Sequence, residues 1–114
     1  MGQYFKIANL DKKEFICTWD LEHGAKFLEI ICNNIARLVP YLLRKSDDGG
    51  GGDIDNFDEL EYCGRWACDR IVIIGDYDSS NLYEQIDETQ GWKSISKEAA
   101  KEFNSVIDFE RYEI

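Results

Sequence analysis

The sequence predicts an α+β domain: a small antiparallel or mixed sheet with a long core helix and a shorter C-terminal helix packed on one face. Three patterns carry that expectation. Two aromatic and β-branched segments open the chain, an apolar series at three- and four-residue spacing follows, and an unbroken Ile-Val-Ile-Ile run lies beyond the middle. At 114 residues, one hydrophobic core is expected, and three Trp, six Tyr and six Phe supply apolar area that disordered chains lack. Residues 1–114 therefore read as a single compact domain, with 46–61 a flexible acidic glycine-rich loop.

The first strand is expected over residues 3–10 and its continuation over 14–19, joined as a hairpin through Asp11 and Lys12. That turn has no glycine, so an Asx-type bond from Asn9 or Asp11 is the available local closure. From Gly24 the period changes: Phe27, Leu28, Ile31, Ile35, Leu38, Val39, Leu42 and Leu43 fall along one side of a helix. Pro40 lies inside this series, where loss of an amide and crowding of the preceding turn predict a kink or a stop near Val39.

Four adjacent glycines, 49–52, end the helical pattern, and the seven carboxylates between Asp47 and Glu61 have no basic side chain among them. These glycines are not spaced for a phosphate loop, and their neighbours are acids. Residues 70–75 give the strongest strand signal and read as a central strand. A last helix is expected over 94–107, with Ser96 as its cap and Ala99, Phe103, Val106 and Ile107 as its apolar stripe.

Charge is divided unevenly. Residues 1–45 balance at +2 and residues 46–114 at −12, giving a net −10. Such a field repels nucleic acid, and no Arg/Lys cluster with interleaved aromatics counters it. No apolar run is long enough to cross a bilayer and the N-terminus has no leader-like pattern, so a cytoplasmic location is expected, with no membrane insertion. Phe5 and Lys6 also make Gly2 a poor match to a myristoylation signal. Cys17, Cys32, Cys63 and Cys68 are poorly spaced for zinc and are expected to be free thiols in a reducing compartment.

Candidate chemistry follows residues 70–75. Asp76, Asp78, Ser80, Glu84 and Asp87 occupy relative positions 1, 3, 5, 9 and 12, the spacing of a calcium loop. Asn81 stands in place of the turn glycine, Asp87 in place of the terminal Glu, and a strand leads in, so the full motif is not met. A looser cation site for calcium, magnesium or manganese would use Asp76 and Asp78, joined by Asp53 or Asp69. With a metal-activated water, it would make the chain a divalent-metal-dependent phosphoester hydrolase. His23, the sole histidine, stands before the helix with no nucleophile beside it.

The aromatics point to a different class of function. Trp19, Trp66, Trp92, Tyr77 and Tyr83 are suited either to core packing or to partner recognition. Arg65, Trp66 and Tyr77 are the candidate protein-binding residues, and the leading reading is an intracellular protein-interaction domain whose acidic surface meets a basic or polar protein partner.

The opening Gly2-Gln3-Tyr4-Phe5 and Asn9-Leu10-Asp11-Lys12-Lys13-Glu14, with Gly64-Arg65-Trp66-Ala67-Cys68-Asp69-Arg70-Ile71-Val72-Ile73-Ile74-Gly75-Asp76-Tyr77, resemble a family of small uncharacterised proteins. Its blocks read GQYY, NLDKKE and GRWAGDRIVIVGDY. The two matching regions cover about a quarter of the chain. The resemblance implies no activity or residue role. Phe5 replaces the second tyrosine and Cys68 a glycine, and a cysteine at 68 argues against a positive φ there.

Overall fold

In the computed structural model, which describes residues 2–107, a side chain closes the first hairpin. β1 (Phe5–Asn9) and β2 (Glu14–Ile16) run antiparallel, with Ile7 opposite Ile16 and Asn9 opposite Glu14. The buried Asn9 carboxamide oxygen accepts the amides of Asp11 at 2.9 Å and Lys12 at 2.8 Å. Asn9 thus supplies the Asx-type closure, and Lys13 re-enters the strand at a φ of 55°.

β3 (Ile71–Gly75) adds antiparallel to β1, and the short β4 (Lys93–Ser94) adds parallel to β2. The order β3-β1-β2-β4 makes a mixed sheet, and the domain is α+β. It also places β3 at an edge, correcting the expectation of a central strand. An apolar run reports that both faces of a strand are covered, not that both of its edges are paired.

Alternation along β1 and β2 divides the sheet into two faces. Ile7 and Ile16 join the main core, which is completed by Trp66, Ile95 and residues of three helices. These are α1 (Phe27–Cys32), α2 (Leu38–Leu43) and α4 (Ser96–Val106), all on this one face. Ala8 and Phe15 point the other way, into a smaller core with Ile74 and Ile86, bordered by Leu82 and Tyr83 of α3 (Leu82–Gln85).

The long helix expected from Gly24 onward is two six-residue helices. The break falls at Asn33, upstream of Pro40. Asn33 is extended, with φ −104° and ψ 155°, and its side chain accepts the Ile35 amide at 3.2 Å to start a 3₁₀ turn over Asn34–Arg37. Pro40 sits in the first turn of α2, where an amide has no intrahelical partner to lose. Because α1 is so short, it turns Ile30 inward and leaves Phe27, Leu28 and Ile31 exposed.

The C-terminal helix is the longest rather than the shorter one, with 11 residues. Ala99, Ala100 and Phe103 are buried, and Val106 and Ile107 pack against them. Ser96 is its first residue, not its cap, because the Ser96 Oγ is engaged by the Cys17 amide at 2.9 Å.

Arg44 organises the acidic glycine-rich segment. Its guanidinium donates to the Asp53 carboxylate and to the Ser46 and Asp48 carbonyls, and it lies 4.3 Å from the Phe57 ring centroid. The cation that balances these acids comes from just outside the acidic run. Downstream, the Gly64 amide donates to the Tyr41 carbonyl at 2.9 Å and the Trp66 amide to Leu42 at 2.8 Å, which fastens this stretch across the end of α2. Cys68 has a φ of 67°, so the left-handed conformation is present despite its side chain. The surrounding hydrogen bonds fix the turn more strongly than a single Cβ opposes it.

Candidate functional site

Trp66 was a candidate for partner recognition, but it is 0% exposed and belongs to the main core. Its indole N–H donates to Glu14 Oε1 at 2.8 Å. Arg65 approaches the same carboxylate through Nε at 3.0 Å and through its terminal nitrogen at 2.5 Å. Burial pushes the Glu14 carboxyl upward, but the bonds from Arg65 and Trp66 and the charges of Arg65 and Lys12 outweigh it and leave the group below its ordinary range. Arg65 and Trp66 therefore hold β2 to the segment after Tyr62, and Trp66 presents no ring to a partner. Tyr77 is 61% exposed.

The four candidate metal ligands each have local work. Asp76 Oδ1 accepts the Tyr4 amide at 2.9 Å, and the Asp76 amide donates to the Tyr4 carbonyl at 2.9 Å. Asp78 accepts the Ser80 amide at 3.1 Å as well as its hydroxyl, which holds its carboxyl below the ordinary range. Asp69 receives the Asn9 amide nitrogen at 2.9 Å and the Lys12 ammonium at 2.5 Å, while Asp53 pairs with Arg44. Among the described residues, no three His, Cys, Asp or Glu side chains gather as a metal-binding group. His23 Nδ1 accepts from the Asn33 side-chain amide at 2.8 Å, and Cys17, Cys32, Cys63 and Cys68 are free thiols.

A different set of residues converges on the face of the smaller core. A cleft of about 380 Å³ has aromatic walls formed by Phe15, Trp19 and Tyr83, with Asp20, Asp87 and Glu88 at its acidic side. Trp19 follows β2 in a 3₁₀ turn (Thr18–Leu21), is 51% exposed and meets Tyr4 in a tilted contact with ring centroids 4.9 Å apart. Tyr4 is tied to Asp76, so Trp19, Tyr4 and the strand end preceding Tyr77 form one connected stretch. Asp20 and Glu88 also line a smaller recess of about 170 Å³ with Ser94, Lys97 and Glu98, which extends the acidic side.

Lys6 holds the cleft together. Its ammonium donates to the carbonyls of Tyr83 at 3.1 Å and Ile86 at 2.6 Å and lies 4.1 Å from the Tyr83 ring centroid. Asp87 accepts the Thr89 amide at 3.0 Å as well as its hydroxyl, which starts the 3₁₀ turn Glu88–Gln90 and fixes the Asp87 carboxylate. Burial, with the nearby Cys17, Asp76 and Glu84, pushes the Tyr83 phenol up to about 12, and burial also raises the Cys17 thiol. Both groups are protonated at neutral pH, so the cleft offers aromatic surface and fixed carboxylates.

Reasoning from the sequence named Trp19 and Tyr83 as aromatics but did not join them to Asp20, Asp87 and Glu88. The available signal was the adjacent Trp19-Asp20 pair at the end of a strand. The parallel β2–β4 pairing, which brings residues 87–94 alongside it, has no local mark in the sequence. Among the described residues, no helix is long and apolar enough to cross a membrane. Comparison with protein-family models, curated proteins and solved structures gives no match to this chain.

Proposed function

We propose that the chain is a protein-interaction domain whose cleft between Trp19 and Tyr83 receives a Lys or Arg side chain from a basic segment of a partner protein. The observation that carries this reading is the exposed Trp19 beside Asp20, Asp87 and Glu88. An aromatic face attracts a cation through its quadrupole, and fixed carboxylates add charge and hydrogen-bond acceptors. The net −10 supplies long-range attraction for a basic partner, and Trp19 supplies short-range selectivity, the Tyr83 ring being already faced by Lys6. Tyr77 is retained as a peripheral contact, while Arg65 supports the scaffold through Glu14.

The test is calorimetric titration with a peptide containing Arg-Lys pairs and with its Gln-substituted counterpart. The basic peptide binds and the counterpart does not. Trp19→Ala weakens binding about tenfold, roughly 1.4 kcal/mol, with little change in the unfolding midpoint because the ring is half exposed. Equal binding of the two peptides, or an unchanged affinity in folded Trp19→Ala, defeats the reading.

A further inference from the structure

Resting on that reading of the cleft, we infer that the side chain it receives is arginine rather than lysine, because Lys6 already fills the place of an ammonium and leaves one indole face beside carboxylates that have no ion-pair partner. Lys6 marks where an ammonium sits. Its Nζ donates to the Tyr83 carbonyl at 3.1 Å and the Ile86 carbonyl at 2.6 Å, and it lies 4.1 Å from the Tyr83 ring centroid and 5.8 Å from that of Phe15. Two of the three aromatic walls therefore face a cation that β1 supplies.

Trp19 is the third wall, and it is open. Tyr4 meets its ring in the tilted contact, and half of the residue stays exposed. A guanidinium is planar and weakly hydrated, so it lies flat on a single indole while the N–H groups at its edge remain free to donate. An ammonium is a compact, strongly hydrated point charge. The groups that would replace its water, the two carbonyls and the Tyr83 face, are held by Lys6.

The acceptors around Trp19 suit a fork of donors. Asp20 adjoins Trp19 in the chain, Glu88 comes from the separate turn Glu88–Gln90, and both are exposed. Among the described residues, none of the ion pairs engages Asp20, Asp87 or Glu88. Asp20 spends Oδ2 on the Ser94 hydroxyl at 2.7 Å and keeps Oδ1 as an acceptor. The Thr89 hydrogen bonds, and with them the Lys6 charge, hold the Asp87 carboxyl below its ordinary range, so this acid is already partly balanced. Asp20 and Glu88 are left for a partner. The five N–H donors of one guanidinium can serve both while its plane rests on the indole, whereas the three of an ammonium radiate from a point. The recess beyond them adds Glu98 and one cation, Lys97, and stays net acidic.

Calorimetric titration of the wild type with three peptides, identical and otherwise uncharged except for Arg, Lys or Gln at one central position, tests the proposal. The Arg peptide binds at least about tenfold more tightly than the Lys peptide, and the Gln peptide binds most weakly. Arg and Lys peptides of equal affinity, or a tighter Lys peptide, with both above Gln, overturn the arginine preference and leave the cleft reading standing. Equal affinity of all three defeats both. In the complex, the side-chain methylene resonances of the peptide Arg move upfield in the ring current of Trp19, and folded Trp19→Ala abolishes the shift. An Arg peptide that binds without that shift overturns the proposal. Lys6→Met keeps the aliphatic stem and removes the ammonium, so the Lys peptide gains affinity and the Arg-to-Lys ratio falls below about threefold. A ratio unchanged in folded Lys6→Met also overturns the proposal. If that variant unfolds, the wild-type ratio and the ring-current shift decide.

Discussion

The carboxylate of Glu14 lies in hydrogen-bond contact with the indole N–H of Trp66, 2.8 Å apart, although 51 residues intervene in the chain. Glu14 is 4% exposed, and Arg65 forks onto the same carboxylate from the side nearer solvent. Removing one member of such a group leaves the others desolvated without a counter-charge. Glu14→Ala should cost about 3 kcal/mol, and Glu14→Gln, which keeps one acceptor for Trp66, about half that. Denaturant titration measures both. Equal losses would show that the charge contributes nothing beyond the acceptor atom.

The same carboxylate gives stability a pH dependence whose sign is fixed. Its folded pKa lies below the ordinary 4.5, so in acid the unfolded chain binds the proton more readily. The contribution is complete above that ordinary value and is lost as pH falls through the folded pKa. Asp11, Asp53, Asp69, Asp78 and Asp87 are lowered as well and act in the same direction. Unfolding midpoints measured from about pH 7 down to about pH 3 should fall on the acid side, and Glu14→Gln should flatten that fall. Parallel wild-type and variant curves would remove Glu14 from the account.

Glu102 of α4 has a comparable role on the helical side. Its carboxylate accepts the backbone amides of Glu61 at 2.7 Å, Tyr62 at 3.0 Å and Cys63 at 3.0 Å, and the Tyr41 hydroxyl at 2.7 Å. One side chain thus joins α4, α2 and the segment that leads into Trp66. Glu102→Ala should destabilise by about 2 to 3 kcal/mol and Tyr41→Phe by about 1 to 1.5 kcal/mol, since charge-assisted bonds exceed neutral ones. A double-mutant cycle should return a coupling of about 1 kcal/mol. Additive losses would mean that the two residues act separately.

Much of the scaffold was legible because its signals are local. The strand pattern, the Asn9 closure and the Ala99 and Phe103 stripe each rest on neighbours within a few residues. The break at Asn33 was hidden because an apolar series at helical spacing persists through a 3₁₀ turn, and Pro40, the obvious breaker, lies where a helix tolerates it. The edge position of β3 and the approach of Asp87 and Glu88 to Trp19 depend on pairing between distant segments. Trp66 was ambiguous for a different reason. A large aromatic beside an arginine suits an interface and a core equally well, and only the position of Glu14 on the neighbouring strand distinguishes them.

Two neighbouring positions with positive φ should respond to mutation with opposite signs. Gly64 has a φ of 77°, and a Cβ there would lie 2.7 Å from the Arg44 carbonyl oxygen, a backbone atom that cannot swing aside. Gly64→Ala should therefore cost at least about 2 kcal/mol by combining left-handed strain with a clash at the end of α2. Cys68, at a φ of 67°, already carries that strain, and its side chain is exposed. Cys68→Gly removes the Cβ penalty and sacrifices little packing. A gain of about 1 kcal/mol is expected after the extra freedom of the unfolded chain is included. Denaturant midpoints of the two variants decide the matter: a loss of stability in Cys68→Gly would show that the thiol makes contacts worth more than the strain it imposes.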